Sequence, residues 1–228
     1  MDMMWTGVRE RVLALRTAPG AHRVFGASVG RFGHRFTLRP PLTEAELLET
    51  EEALGVRLPE EYRGFLLEVA AAGAGPDYGV LPLTRPKEGG AASAEHLRRP
   101  FRPVHVQELT TAHQAGKPLR RTYADPDEYV RDYHAWDERD DELFDALDEG
   151  SLRVSEHGCG YFTLLAVTGP ERGTMWADVR ATDEGAVPFR RPGKERMTFA
   201  EWYLRWLARA ETRARGEAET ATGSAAAP

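Results

Sequence analysis

Residues 42–69, LTEAELLETEEALGVRLPEEYRGFLLEV, carry the start, the stop and the buried face of two consecutive helices. Thr43 followed three residues later by Glu46 is a capping-box pattern, in which each side chain satisfies a free backbone amide of the first turn. That helix is expected to run to Leu54 and stop at Gly55, which takes a left-handed cap without steric cost. Leu58 and Pro59 open a second helix, with Glu60 and Glu61 favoured by the positive end of its dipole. Tyr62, Phe65, Leu66 and Val69 fall at i, i+3, i+4 and i+7, a single apolar stripe. The stretch predicts an antiparallel helix pair with one buried side.

Working outward, Arg39-Pro40-Pro41 is extended and cannot be helix interior. Residues 1–35 form an Arg-rich N-terminal extension with one short helix, Trp5 to Arg16. Downstream, Gly73 to Asp77 breaks the second helix and YGVLPL (Tyr78 to Leu83) has the look of a short strand. Residues 84–122 show no sustained period and are expected to be loop with minor pieces of structure. Asp127 to His134 and Asp140 to Glu149 predict two further helices, closed by Gly150. SLRVSEHG, YFTLLAVTG, TMWADVR and AVPFR then predict four strands separated by turn residues. The second is apolar on both faces, as a central covered strand would be. A last helix follows Thr198, with Phe199, Trp202, Tyr203, Trp206 and Leu207 as a core-packing stripe. Residues 36–210 make one domain, and 211–228 a tail expected to be disordered.

The chain has 228 residues, 41% hydrophobic and 29% charged, which is the range of an ordinary globular domain. Its longest apolar run, Tyr161 to Val167, is far short of the roughly 20 residues that span a membrane. The N-terminus lacks the basic-then-apolar order of a secretory signal, so a cytoplasmic location is expected. Cys159 is the only cysteine, which excludes an internal disulfide and a zinc site built on several thiolates. Only 3 lysines stand against 27 arginines, a bias that fits a high-GC bacterial source.

Four blocks in order, PLTEAELLETEEALGVRLPEEYRGFLLEV, GPDYGVLPL, GCGYFTLLAVTGPERGTMWADVR and FAEWYLRWL, resemble the SMI1/KNR4 family of the SUKH superfamily over roughly Arg35 to Ala208. The segment AAAGAGP stands where that family has a more glycine-rich, polar stretch. The resemblance implies an α+β fold with a mixed, mostly antiparallel sheet flanked by helices. It implies no catalytic activity and no cofactor. Family members often act as immunity proteins that bind and neutralise polymorphic toxins, while fungal relatives resemble regulatory scaffolds.

The residues themselves point to little chemistry. None of His22, His34, His96, His105, His113, His134 and His157 pairs at the i, i+4 spacing that puts two imidazoles on one helical face, and there is no HExxH. His157 and Cys159 sit close in HGCG, but sequence adjacency does not supply the oriented base a nucleophilic thiol needs. The flanking glycines suit a tight entry into a buried strand, with Cys159 packed as a small apolar residue. Neither a phosphate-binding loop nor GxSxG is present. Arg98, Arg99, Arg120 and Arg121 lack interleaved aromatics and are expected to pair with acidic residues or face solvent, so nucleic acid is not expected as a ligand.

The strongest local signal is charge. Asp125 to Glu149 holds twelve carboxylates against Arg131 and Arg139, a local charge of −10, within a chain of net charge −6. Leu143, Phe144 and Leu147 predict the apolar strip of a helix here, leaving Asp137, Glu138, Asp140, Asp141, Glu142, Asp145, Asp148 and Glu149 on other faces. Paired glycosidase carboxylates face each other across a cleft, and calcium loops need a glycine bend, neither of which a straight helix supplies. The alternatives are a solvated surface or a partner-binding face made of these eight residues, the partner being a protein such as a basic toxin domain. Two functions remain open: an immunity-type protein neutralising a cognate toxin, or an intracellular regulatory or scaffold module without one.

Overall fold

The computed structural model describes residues 3–28, 33–83, 93–182 and 184–216. Of the tail expected over 211–228, residues 211–215 instead belong to the last helix, with Ala214 buried, and 217–228 lie outside the described residues, as do 84–92 of the expected loop. In chain order the helices are α1 (Val8–Ala14), α2 (Glu44–Leu54), α3 (Glu60–Glu68), α4 (Ala94–Arg98), α5 (Pro103–Ala115), α6 (Pro126–Ala146) and α7 (Phe199–Arg215). Between α6 and α7 lie β1 (Ser151–Gly158), β2 (Tyr161–Ala166), β3 (Met175–Asp178) and β4 (Ala186–Pro188), paired in the order β1-β2-β3-β4, each pairing antiparallel. The fold is α+β.

The helix pair forms as its sequence dictates. Thr43 and Glu46 close the capping box, and Gly55 ends α2 at φ 68°. Tyr62, Phe65, Leu66 and Val69 are fully buried. One buried ion pair fastens the two helices: the Glu51 carboxylate meets the Arg63 guanidinium and also accepts the Leu58 amide at 2.6 Å. A carboxylate withdrawn from water needs both partners to offset its lost hydration.

Side chains alternate across the strands, so the sheet has two unlike faces. Leu152, Val154, Leu165 and Met175 point into the main core with α1, α2, α3 and α7. Leu164, Ala166 and Trp176 point the other way, onto a small cluster completed by Phe101. At the centre of the main core Tyr62, Phe65, Phe199 and Tyr203 pack with ring centroids 4.7–6.3 Å apart. The apparent extension at the N-terminus supplies part of this core. Trp5 lies 5.5 Å from Phe65 and 6.0 Å from Tyr203, and its indole N–H donates to the Glu61 carbonyl. Arg11 ties α1 to α7 through Glu211, with two bonds of 2.9 and 2.8 Å.

Four expectations are corrected. The two helices predicted between Asp127 and Glu149 are one, α6, because Trp136 buries at the proposed break and keeps the helix continuous. The expected loop contains the 13-residue α5, started by Pro103; its period is hidden because Val104 and Leu109 are exposed. The strand expected at Tyr78–Leu83 reduces to isolated bridges from Val80 to Gly73 and Ser155. Cys159 is exposed rather than packed. It occupies the two-residue turn between β1 and β2 with Gly160, at φ 55° and 82°, the positive values a tight hairpin demands.

The Ala-rich stretch after α3 is also explained. Ala72 and Ala74 are buried, and the Ala74 carbonyl accepts the Tyr203 hydroxyl at 2.8 Å. Small residues let this backbone approach the core.

Gly64 sits under the Trp5 indole: an added Cβ would lie 2.8 Å from the ring. Alanine is the better helix former by about 1 kcal/mol, yet Gly64→Ala is expected to lower stability by about 1–3 kcal/mol, because the overpacked ring has nowhere to go. Urea denaturation of the variant measures the sign. A stabilised protein would show that Trp5 is not seated as described.

Candidate protein-binding surface

α6 begins at Asp125, whose carboxylate accepts the Asp127 amide, with Pro126 at the first helical position. Its 21 residues span about 30 Å. Midway, Trp136 stacks on His113 of α5 at 4.9 Å and an interplanar angle of 7°. The two residues exchange ring-to-carbonyl hydrogen bonds of 3.0 and 3.2 Å, and the Lys117 ammonium lies 4.6 Å from the Trp136 ring centre.

The C-terminal end is held by charge. Asp148 is buried, and its carboxylate meets His96 at 3.1 Å, Arg153 at 2.9 Å and Arg180 at 3.0 Å. Arg180 also binds Asp178 at 2.7 Å and donates to the Phe144 carbonyl at 2.6 Å, satisfying one of the free carbonyls that end a helix. α4, the end of α6, β1 and the segment after β3 thus converge on one carboxylate. Burial alone would raise the Asp148 pKa; the His96 hydrogen bond and the charges of Arg180 and Arg153 outweigh it and hold it at about 2. In return the hydrogen bond with Asp148 raises His96 above its ordinary value.

The eight predicted residues therefore separate into three groups. Asp137, Glu138, Asp141 and Asp145 are exposed and form no ion pair among the described residues. Asp140 accepts from Gln114 at 2.6 Å, and Glu142 pairs with Arg139 at 2.6 Å. Asp148 is withdrawn from the surface, and Glu149 pairs with Arg99 at 2.5 Å. Phe144 is corrected as well: it is 57% exposed, covered on one side by the Arg180 guanidinium 4.5 Å from its ring. Leu143 and Leu147 are buried as expected, and Trp136 is the third inward residue.

The span 41–187 matches the family model described as SMI1/KNR4 family (SUKH-1). The chain belongs to the SMI1/KNR4 family. No curated protein and no solved structure matches it. The SMI1/KNR4 match takes in the helix pair, α6 and nearly the whole sheet, whereas α1 and α7 lie outside it. Among the described residues no three His, Cys, Asp or Glu side chains come together as a metal site, and no helix is long and apolar enough to cross a membrane. His96, Arg153 and Arg180 escape sequence reading because they lie 52, 5 and 32 positions from Asp148.

Asp148→Asn is expected to cost about 1.5–3 kcal/mol, since it removes the charge shared by His96, Arg153 and Arg180 while Arg180 keeps Asp178, whereas Asp141→Asn on the exposed face should change stability by about 0.5 kcal/mol or less. The depressed Asp148 contributes stability above ~pH 4 that is lost as pH falls through its folded value. The raised His96 contributes stability below ~pH 6.5 that is lost as pH rises through its own. Urea midpoints measured against pH should fall on both flanks in the native protein and fall less steeply in Asp148→Asn, whose remaining acid dependence comes from carboxylates such as Glu201.

Proposed function

We propose that this chain is a non-enzymatic immunity-type protein that binds and neutralises a cognate polymorphic toxin in the bacterial cytoplasm. The exposed edge of α6 is its docking face. Family membership supports the class of function, and the observation that supports the face is Asp137, Glu138, Asp141 and Asp145, four carboxylates on a helix braced at its middle and its end. Because both braces fix the backbone, the four charges keep their spacing before a partner arrives, and little ordering entropy is lost on docking.

Such a face selects a basic toxin domain. Like charges set at i and i+4 repel along the helix, a cost that a cationic partner removes. Attraction over a Debye length of about 8 Å at physiological ionic strength steers the encounter, so charge acts on the association rate more than on the dissociation rate.

Toxin captured with the tagged protein from native cells and identified by mass spectrometry supplies the partner for kinetics. Replacing Asp137, Asp141 and Asp145 together by lysine is expected to slow association by about 10-fold or more at low salt and to abolish protection of cells expressing the toxin. Unchanged protection by a folded triple variant removes α6 as the docking face. Recovery of partners with no toxin among them, from cells that carry none, favours a regulatory module.

A further inference from the structure

His34, Arg35, Phe36 and Thr37 form a turn closed by the Thr37 amide and hydroxyl, which both donate to the His34 carbonyl, at 2.8 and 2.7 Å. Arg35 and Phe36 at its centre have φ 45° and 52°, the positive pair of a type I′ turn, which asparagine and glycine ordinarily occupy. A left-handed backbone is strained for residues with a Cβ, and a bulky ring there is rarer still. Two contacts hold the turn against that strain. The Phe36 side chain is buried in the main core, and the Phe36 amide donates to Nδ1 of His34 at 3.1 Å.

This second contact fixes the state of the imidazole. A neutral ring accepts through one nitrogen only, so the His34 proton sits on Nε2, which is buried without a hydrogen-bond partner. The ring lies 5.1 Å from Phe36 and 5.9 Å from Trp206 of α7. Trp206 in turn lines a cleft of about 790 Å³ between α7 and the sheet, bordered also by Arg209 and Arg213. Burial pulls the His34 pKa down to about 4. The charged groups on the elements packed against His34 do not offset an added proton. Arg23, Arg35 and Arg205 are themselves cations. The α7 carboxylates Glu201 and Glu211 pair with Lys194 and Arg11, each at 2.8 Å. Asp77, whose carbonyl abuts Gly26 opposite His34, turns its carboxylate to His157 at 3.1 Å.

We propose that His34 is an acid-released latch: a second proton on its ring turns Nδ1 from acceptor to donor, displaces the Phe36 amide and frees the turn while the rest of the domain stays folded. Both nitrogens of an imidazolium donate, so Nδ1 and the Phe36 amide then oppose each other as two donors inside the core. Once freed, the ring regains its ordinary affinity for protons, and the closed turn loses stability as pH falls from about 6.5 toward 4. The opening stays local because this edge is lightly tied. Leu38 makes a single bridge to Gly73, and one hydrogen bond on each side, Ala74 to Thr37 at 2.8 Å and Arg39 to Ala72 at 2.9 Å, completes the pairing. The rings at the centre of the core, Tyr62, Phe65, Phe199 and Tyr203, pack on one another and on Trp5. Release of Phe36 therefore bares the Trp206 side of the cleft and leaves that centre closed.

Nuclear magnetic resonance of the intact protein tests the proposal. At pH 7 the imidazole nitrogen shifts of His34 should report a proton on Nε2 and none on Nδ1. On titration to pH 4 the amide signals of Phe36, Thr37 and Arg39 are expected to move together with the His34 ring, and their exchange protection to fall about 10-fold or more, while the signals of Phe65 and Tyr203 keep their native positions. His34→Asn carries a carbonyl oxygen where Nδ1 stood and takes up no proton, so its turn should stay closed at pH 4. Circular dichroism establishes that the variant is folded, and the titration of the native protein is decisive without it. The proposal is overturned if Nδ1 carries the proton at pH 7, if the turn stays closed once the His34 ring is charged, if all native signals vanish together, or if folded His34→Asn opens in acid as the native protein does.

Discussion

Asp148 is a carboxylate taken out of water, and three cations from distant parts of the chain converge on it. Their importance follows from the unequal faces of the sheet. On one face a large apolar core closes over α1, α2, α3 and α7. On the other, the apolar cluster amounts to Phe101, Leu164, Ala166 and Trp176, with Phe162 and Ala186 at its border. That is too little area to orient α5 and α6 by hydrophobic burial alone, which is non-directional in any case, whereas α4 sends Leu97 into the main core. The hydrogen-bonded charges supply the direction: Arg180 joins the end of α6 to the sheet, and His96 joins α4 to the same carboxylate. The orientation of the acidic edge toward solvent depends on this junction.

The same division explains which elements could be read from sequence. α2, α3 and α7 face the large core, so their apolar residues repeat at helical spacing, and α2 and α7 carry complete capping boxes. Thr198 and Glu201 close a box of the same kind as Thr43 and Glu46. α5 and α6 pack on each other, and their buried residues Val106, Trp136 and Leu143 belong to neither apolar cluster, so few positions need be apolar. Trp136, Leu143 and Leu147 are separated by seven and four residues, and a rule that counts apolar periods breaks the helix between them. Phe144 misleads for a related reason. Its ring lies against Arg180, 36 residues away, and its other face is open to solvent.

The candidate site was half legible. A run of carboxylates is visible in any sequence, and four of the eight do stand free on the exposed edge. What the pattern cannot convey is that the helix ends at Ala146, short of the expected Glu149, and that Asp148 in the turn beyond it is structural. The distinction lies in desolvation, and desolvation is set by residues remote in the chain. An acidic run of this kind thus mixes groups that can vary with groups that cannot, and a charge reversal spanning Asp148 would confuse loss of folding with loss of binding.

α7 separates these roles more cleanly. Phe199, Tyr203, Leu207, Ala210 and Ala214 form its buried side, while Arg209 and Arg213 are exposed on the side that borders the cleft. Because the apolar side seals the core, a charge change at exposed Arg209 should cost little in stability, near the magnitude typical of surface substitutions. The two charged surfaces of this molecule therefore differ in kind. The α6 edge is tied to the junction that orients it, and the cleft arginines ride on a helix held by packing. Substitution at exposed Arg209 leaves the packing of α7 intact, whereas the α6 edge is a face whose geometry is fixed by Asp148.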